Sequence, residues 1–152
     1  MAMLVFPSQV REEILEQHGV LRSLLRRAIE GPEVASSGAA RMDCAEMRAI
    51  GLELCDRLRE HLVFEADALR PVFAVLDYWG PERIRELDIE HARQREELEA
   101  LKSKLDSEDD LQELSADLSK LAGELLKDMD AEEDGCLRAS LLCDVSLTVE
   151  RR

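Results

Sequence analysis

Apolar residues return at alternating steps of three and four through four successive stretches of this 152-residue chain. That spacing keeps one face of a helix against its neighbours, so it restricts the chain to helices packed side by side. The first seam is Ile14, His18, Leu21, Leu25, Ala28 and the second is Met47, Gly51, Leu54, Leu58, His61, Glu65, Ala68, Val72. The third is Ile84, Leu87, His91, Gln94, Leu98, Leu101, Leu105. The fourth runs Leu111, Leu114, Leu118, Leu121, Leu125, Asp128, Glu132, Gly135, Ala139, Leu142.

The breaks between seams set the boundaries. Glu30–Arg41, "EGPEVASSGAAR", has no periodicity and reads as a loop. Gly80–Pro81 combines a stop with a proline suited to the first helical position. Ser107, in "LDSEDDL", is the expected cap of the fourth helix, Ser8 that of the first, and Asp43 with Glu46 forms a capping-box variant before the second. Helices are therefore predicted over about 9–30, 43–77, 81–105 and 108–142, with Pro71 kinking the second or lying in its last turns. The short second and third connections favour antiparallel neighbours. The expected fold is all-α, an antiparallel up-and-down four-helix bundle. It forms one domain over 1–152, with tails at 1–7 and 144–152 prone to disorder.

Composition narrows the partners. A net charge of -14 argues against nucleic acid or an anionic membrane surface. No apolar run approaches the roughly 20 residues that a membrane span needs. The opening "MAMLVFPSQVREE" lacks a basic n-region, so a cytoplasmic location is expected. The four cysteines, Cys44, Cys55, Cys136 and Cys143, have no CxxC spacing and read as thiols filling the core, although Cys136 shares a helix face with Glu132. Tyr78 and Trp79 are expected to cap the bundle end, Arg26 and Arg27 to complement a helix C-terminus, and Glu60, Glu90 and Glu133 to be surface charges.

Each seam carries polar residues where the core should be apolar. Burying an imidazole or a carboxylate without a partner costs several kcal/mol. All three histidines of the chain lie on seams, each on a different helix, and His61 is followed one turn on by Glu65. The converging set is His18, His61, Glu65, His91, Asp128 and Glu132. Imidazole and carboxylate together suit iron, manganese or zinc, and carboxylates can bridge two ions. The rival is a His–carboxylate network that shares protons and only specifies the bundle.

The chain resembles the hemerythrin-like, or HHE cation-binding, domains. Their pattern is a lone His on the first helix, HxxxE on the second, a His on the third and HxxxE or HxxxxD on the fourth. The matching stretches are "EQHGVLR" with His18, "LREHLVFEADALRP" with His61 and Glu65, "IEHARQREELEAL" with His91, and "LLKDMDAEEDGCL" with Glu132. The resemblance implies a four-helix bundle with a non-haem, usually di-iron, centre, and a role with dioxygen, peroxide or iron. Two imidazoles of the oxygen-carrying members are replaced, one by Asp128 and one by Arg95. More carboxylate and less imidazole points away from reversible oxygen carriage and toward ferritin-like oxidation chemistry or iron sensing. A di-iron oxidase or peroxidase, and a metal-free helical interaction module, are the alternatives.

Overall fold

The computed structural model describes residues 6–36, 43–108 and 110–144. It contains four α-helices: α1 (Pro7–Ser36), α2 (Cys44–Leu76), α3 (Gly80–Ser107) and α4 (Leu111–Asp134). There is no strand among the described residues. Cross-helix pairs run in opposite chain directions. Arg48 donates to the Leu105 carbonyl, Arg59 to Glu99 and Arg70 to Asp88, which makes α2 and α3 antiparallel. Lys104–Asp117 and Arg93–Asp128 do the same for α3 and α4, and Arg22–Asp130 and Arg11–Leu137 for α1 against the α4 end of the chain. The packing goes round as α3, α2, α1, α4, and the α3–α4 edge that closes the ring is sparsely joined.

The seams are the buried faces. A large apolar cluster, including Leu21, Leu25, Leu54, Leu58, Leu98, Leu118 and Leu125, fills one part of the bundle. A smaller one, Val10, Ile14, Leu69, Val72, Phe73, Leu87, Leu137 and Leu142, fills the other. On α1, α2 and α3 a polar seam residue falls between members of these two clusters: His18 between Ile14 and Leu21, Glu65 between Leu62 and Leu69, His91 between Leu87 and Leu98. The antiparallel packing therefore assembles a polar layer that divides the core.

Local chemistry explains most helix ends. Asp43 accepts from the Glu46 N–H while the Glu46 side chain accepts from the Asp43 N–H, closing the capping box of α2. Pro71 lies within the last turns of α2. The turn into α3 needs glycine, because a Cβ on Gly80 would lie 2.1 Å from the Phe73 carbonyl oxygen. Asp77 pins this turn by accepting from the Trp79 N–H and from Arg83.

Several boundaries differ from the expectation. α1 continues through Gly31 and Pro32 to Ser36 instead of ending at 30. Proline has a helix-compatible φ, although inside a helix it removes a donor and crowds the carbonyl four residues earlier. Arg26 and Arg27 are thus interior to α1 and do not complement its last turn; residues 37–42 of the expected loop lie outside the described residues. Ser8 does not cap α1, which begins at Pro7; its N–H and hydroxyl donate to Asp144. The tails at 1–5 and 145–152 lie outside the described residues, whereas Pro7 and Asp144, also assigned to tails, take part in this ordered structure. Ser107 closes α3, donating to the Ser103 carbonyl, and Asp110 caps α4 by accepting from the N–H groups of Gln112 and Glu113.

α4 ends at Asp134, not at 142. The Gly135 N–H bonds to the carbonyls of Ala131 and Glu132, and the Leu137 N–H also bonds to the Glu132 carbonyl, which turns the chain out of the helix. Leu137 and Leu142 then fold under the bundle and are fully buried, while Ala139, on the expected seam, faces solvent. This terminal segment caps the bundle where Tyr78 and Trp79 were expected to do so. Those two rings stack edge to face on each other and are 90% and 60% exposed.

Candidate metal centre

The polar layer is built by four helices. α1 supplies His18, α2 supplies His61 and Glu65 one turn apart, α3 supplies His91, and α4 supplies Glu132 in its last turn. His18 and Glu65 have no solvent exposure, and His91 and His61 are buried. One ligand-capable atom from each of His18, His61, Glu65 and Glu132 falls within 4.8 Å of all the others.

Outer partners fix the imidazole tautomers. A carboxylate and an amide oxygen can only accept, so the ring nitrogens facing them carry the protons. His18 Nδ1 donates to Glu133 Oε1 at 3.0 Å, and His61 Nδ1 donates to Gln17 Oε1 at 2.8 Å. Glu133 is itself held by Arg22, whose guanidinium donates to both of its oxygens at 2.7 and 2.8 Å. With the outer nitrogens as donors, Nε2 is the atom that each ring turns toward the cluster. His61 Nε2 stands 2.9 Å from Glu65 Oε2, and His18 Nε2 stands 3.4 Å from Glu132 Oε2 and 3.9 Å from Glu65 Oε2. His18 Nε2, Glu65 Oε2 and Glu132 Oε2 are buried without a hydrogen-bond partner. Acceptor atoms gathered this closely in a low-dielectric core repel unless a proton or a cation lies among them. The donor set fits a metal ion: two imidazole nitrogens and two carboxylates, with the outer ring nitrogens already oriented.

The titration of the protein without metal follows from the same geometry. Burial opposes the charge on Glu65, but His61 and His91 outweigh it and draw the carboxyl down to about 2. Burial and the charge of Glu65 push Glu132 above its ordinary value, despite the His18 imidazole beside it. Burial works against protonating His18, and Glu132 and Glu133 reverse that, so its pKa is raised.

The remaining expected residues are placed differently. His91 lies on the far side of Glu65, its Nε2 donating to Glu65 Oε1 at 3.1 Å while Nδ1 is buried without a partner. Asp128 is engaged elsewhere: Arg93 donates to its Oδ2 at 2.6 Å and Gln94 at 3.4 Å. Arg95 faces solvent, so Arg93 is the guanidinium that meets a carboxylate beside the centre. Glu133, expected on the surface, is half-buried against His18 and Arg22. Gln17, Arg22 and Arg93 went unnoticed in the sequence. The signal for Arg22 was its place one turn after His18 on the same face, opposite the acidic "AEED" end of α4.

Two openings reach the layer. A cleft of about 450 Å³ along the sparse α3–α4 edge is lined by Phe73, Arg83, Leu87, Asp128, Glu132 and Cys136, among others. A second, of about 300 Å³, lies between α1 and α2 at Gln17, Phe64 and His61. None of the four cysteines is in a disulfide. Burial and the charges of Glu132 and Glu65 push Cys136 up to about 12, so it presents a protonated thiol to the cleft; Cys55 is a core residue.

Neither the curated proteins nor the solved structures include a match to this chain. The sequence matches the hemerythrin HHE cation binding domain over residues 9–139, most of its length. With the four-helix architecture and the buried His/Glu cluster, that match assigns the chain to the hemerythrin HHE cation-binding family.

Proposed function

We propose that the protein is a non-haem iron protein whose centre is held by His18, His61, Glu65 and Glu132, and that it senses or handles oxygen, peroxide or iron. The observation that carries this reading is the meeting of ligand-capable atoms: one from each of His18, His61, Glu65 and Glu132 lies within 4.8 Å of the others, and His18 Nε2, Glu65 Oε2 and Glu132 Oε2 are buried without a hydrogen-bond partner. The mixture of nitrogen and oxygen donors suits iron and also accepts zinc or manganese. Iron, when bound, supplies a redox change that oxygen species can drive. The chain's own contribution is to orient that site: Glu133 and Gln17 hold the rings, Arg22 holds Glu133, and the apolar clusters exclude water on both sides.

The α3–α4 cleft favours a second, enzymatic reading, an oxidase or peroxidase acting on peroxide or another small molecule. Glu132 lines both the cleft and the cluster, so a small solute reaching the cleft meets the centre at its most open carboxylate. No described helix is long and apolar enough to cross a membrane; with the acidic charge, we read the working compartment as the cytoplasm. Metal analysis of protein purified without chelator, with absorption spectra under air and under reductant, tests the iron reading. Turnover of added peroxide, lost with His61→Ala, distinguishes enzyme from sensor.

A further inference from the structure

We propose that this centre takes one metal ion per chain and not the pair usual for its family. The inference rests on the reading above that the cluster binds metal. It follows from where the remaining donors are committed.

A first ion uses the four atoms that converge, one from each of His18, His61, Glu65 and Glu132. A second would have to be built from His91, Asp128 and the second oxygens of Glu65 and Glu132. With Nε2 as the donor, His91 meets Glu65 Oε1 at 3.1 Å and serves as an outer partner that orients a ligating carboxylate, while its Nδ1 is buried without a partner. Asp128 is held by Arg93 at 2.6 Å, and the same guanidinium is locked by Glu90 at 2.7 Å and Glu97 at 2.6 Å. Releasing Asp128 would break a charge-assisted bond. The Gln94 amide also donates to Asp128 and Glu90, presenting N–H groups where a ligand must present lone pairs. Arg95, the position of the second α3 imidazole in oxygen-carrying relatives, faces solvent.

The test is anaerobic loading of metal-free protein with excess ferrous iron, removal of unbound metal, and measurement of iron per chain. It is paired with electron paramagnetic resonance after oxidation. About one iron per chain, with a high-spin ferric signal integrating to all the bound iron, is the expected result. Two irons per chain with a silent, coupled ferric pair would overturn the single-ion proposal and leave the metal reading standing. No retained iron would overturn both. The Asp128→Asn variant, which keeps the hydrogen-bonding shape on an accessible helix face, should hold the same one iron with affinity within about threefold. Its loss of iron would show that Asp128 is a ligand and defeat the proposal.

Discussion

Glu133 lies 3.0 Å from Nδ1 of His18, on the side of the ring opposite to Glu132, which faces Nε2 at 3.4 Å. Two consecutive glutamates at the end of α4 thus grip the two nitrogens of one imidazole, and they do so in different roles. Glu132 belongs to the cluster, whereas Glu133, anchored by Arg22, sets the tautomer that turns a lone pair inward.

Removing that outer partner should weaken metal binding without abolishing it. Outer partners of ligating histidines typically contribute about 10–100-fold in affinity. Glu133→Ala is expected to fall in that range and Arg22→Ala to show a smaller loss, measured by competition with a chromogenic chelator. Unchanged affinity in Glu133→Ala would mean that His18 needs no such support.

Metal uptake should release protons and weaken as the pH falls. In the metal-free protein, Glu132 and Glu133 raise the pKa of His18 against the opposing effect of burial. Its proton is therefore retained to higher pH than in a free imidazole and must leave before Nε2 can bind an ion. Affinity is expected to rise with pH through and above the ordinary histidine range. Calorimetric titrations in buffers of different ionisation enthalpy would measure the release directly, and a pH-independent affinity would contradict it.

Metal should also stabilise the fold, because the site exists only when four helices have converged. At a free metal concentration of 100 times Kd, binding adds about 2.7 kcal/mol. For a domain of this size that corresponds to a rise in thermal midpoint of roughly 5–10 °C. Scanning calorimetry with and without chelator measures it.

The segment after α4 should matter for stability and not for stoichiometry. Leu137 is fully buried beneath the bundle. Leu137→Ala is expected to cost about 2–5 kcal/mol, the usual range for a truncated core leucine. Urea unfolding should show the loss while iron per chain stays constant. Gly80→Ala should also destabilise, through its collision with the Phe73 carbonyl.

The fold and the core of the site were legible because both depend on periodicity. The three- and four-residue steps place His18, His61, Glu65 and His91 on buried faces, and antiparallel packing then brings them to one level. What periodicity could not show is which direction a side chain takes once buried. Asp128 occupies a seam position, yet Arg93 on the neighbouring helix captures it, a choice made by a charge pair across helices. Glu133 sits one step off the seam, but a long side chain at a helix end can still reach the ring behind its neighbour. α1 runs past its Gly–Pro signal, and α4 stops at a glycine that the expected seam ran through. Gly31 and Pro32 are carried within α1, whereas Gly135 lets the chain turn so that Leu137 and Leu142 reach the core.

The central claim is that the polar layer exists to bind metal. Its most direct test is the iron content of anaerobically loaded wild-type protein beside His61→Ala and Glu65→Ala, with circular dichroism to confirm that each variant is helical. Stable iron in the wild type and loss of most of it in both folded variants is the predicted result. Equal iron in all three, or none in the wild type, would contradict the claim and identify the layer as a proton-sharing network that serves the fold alone.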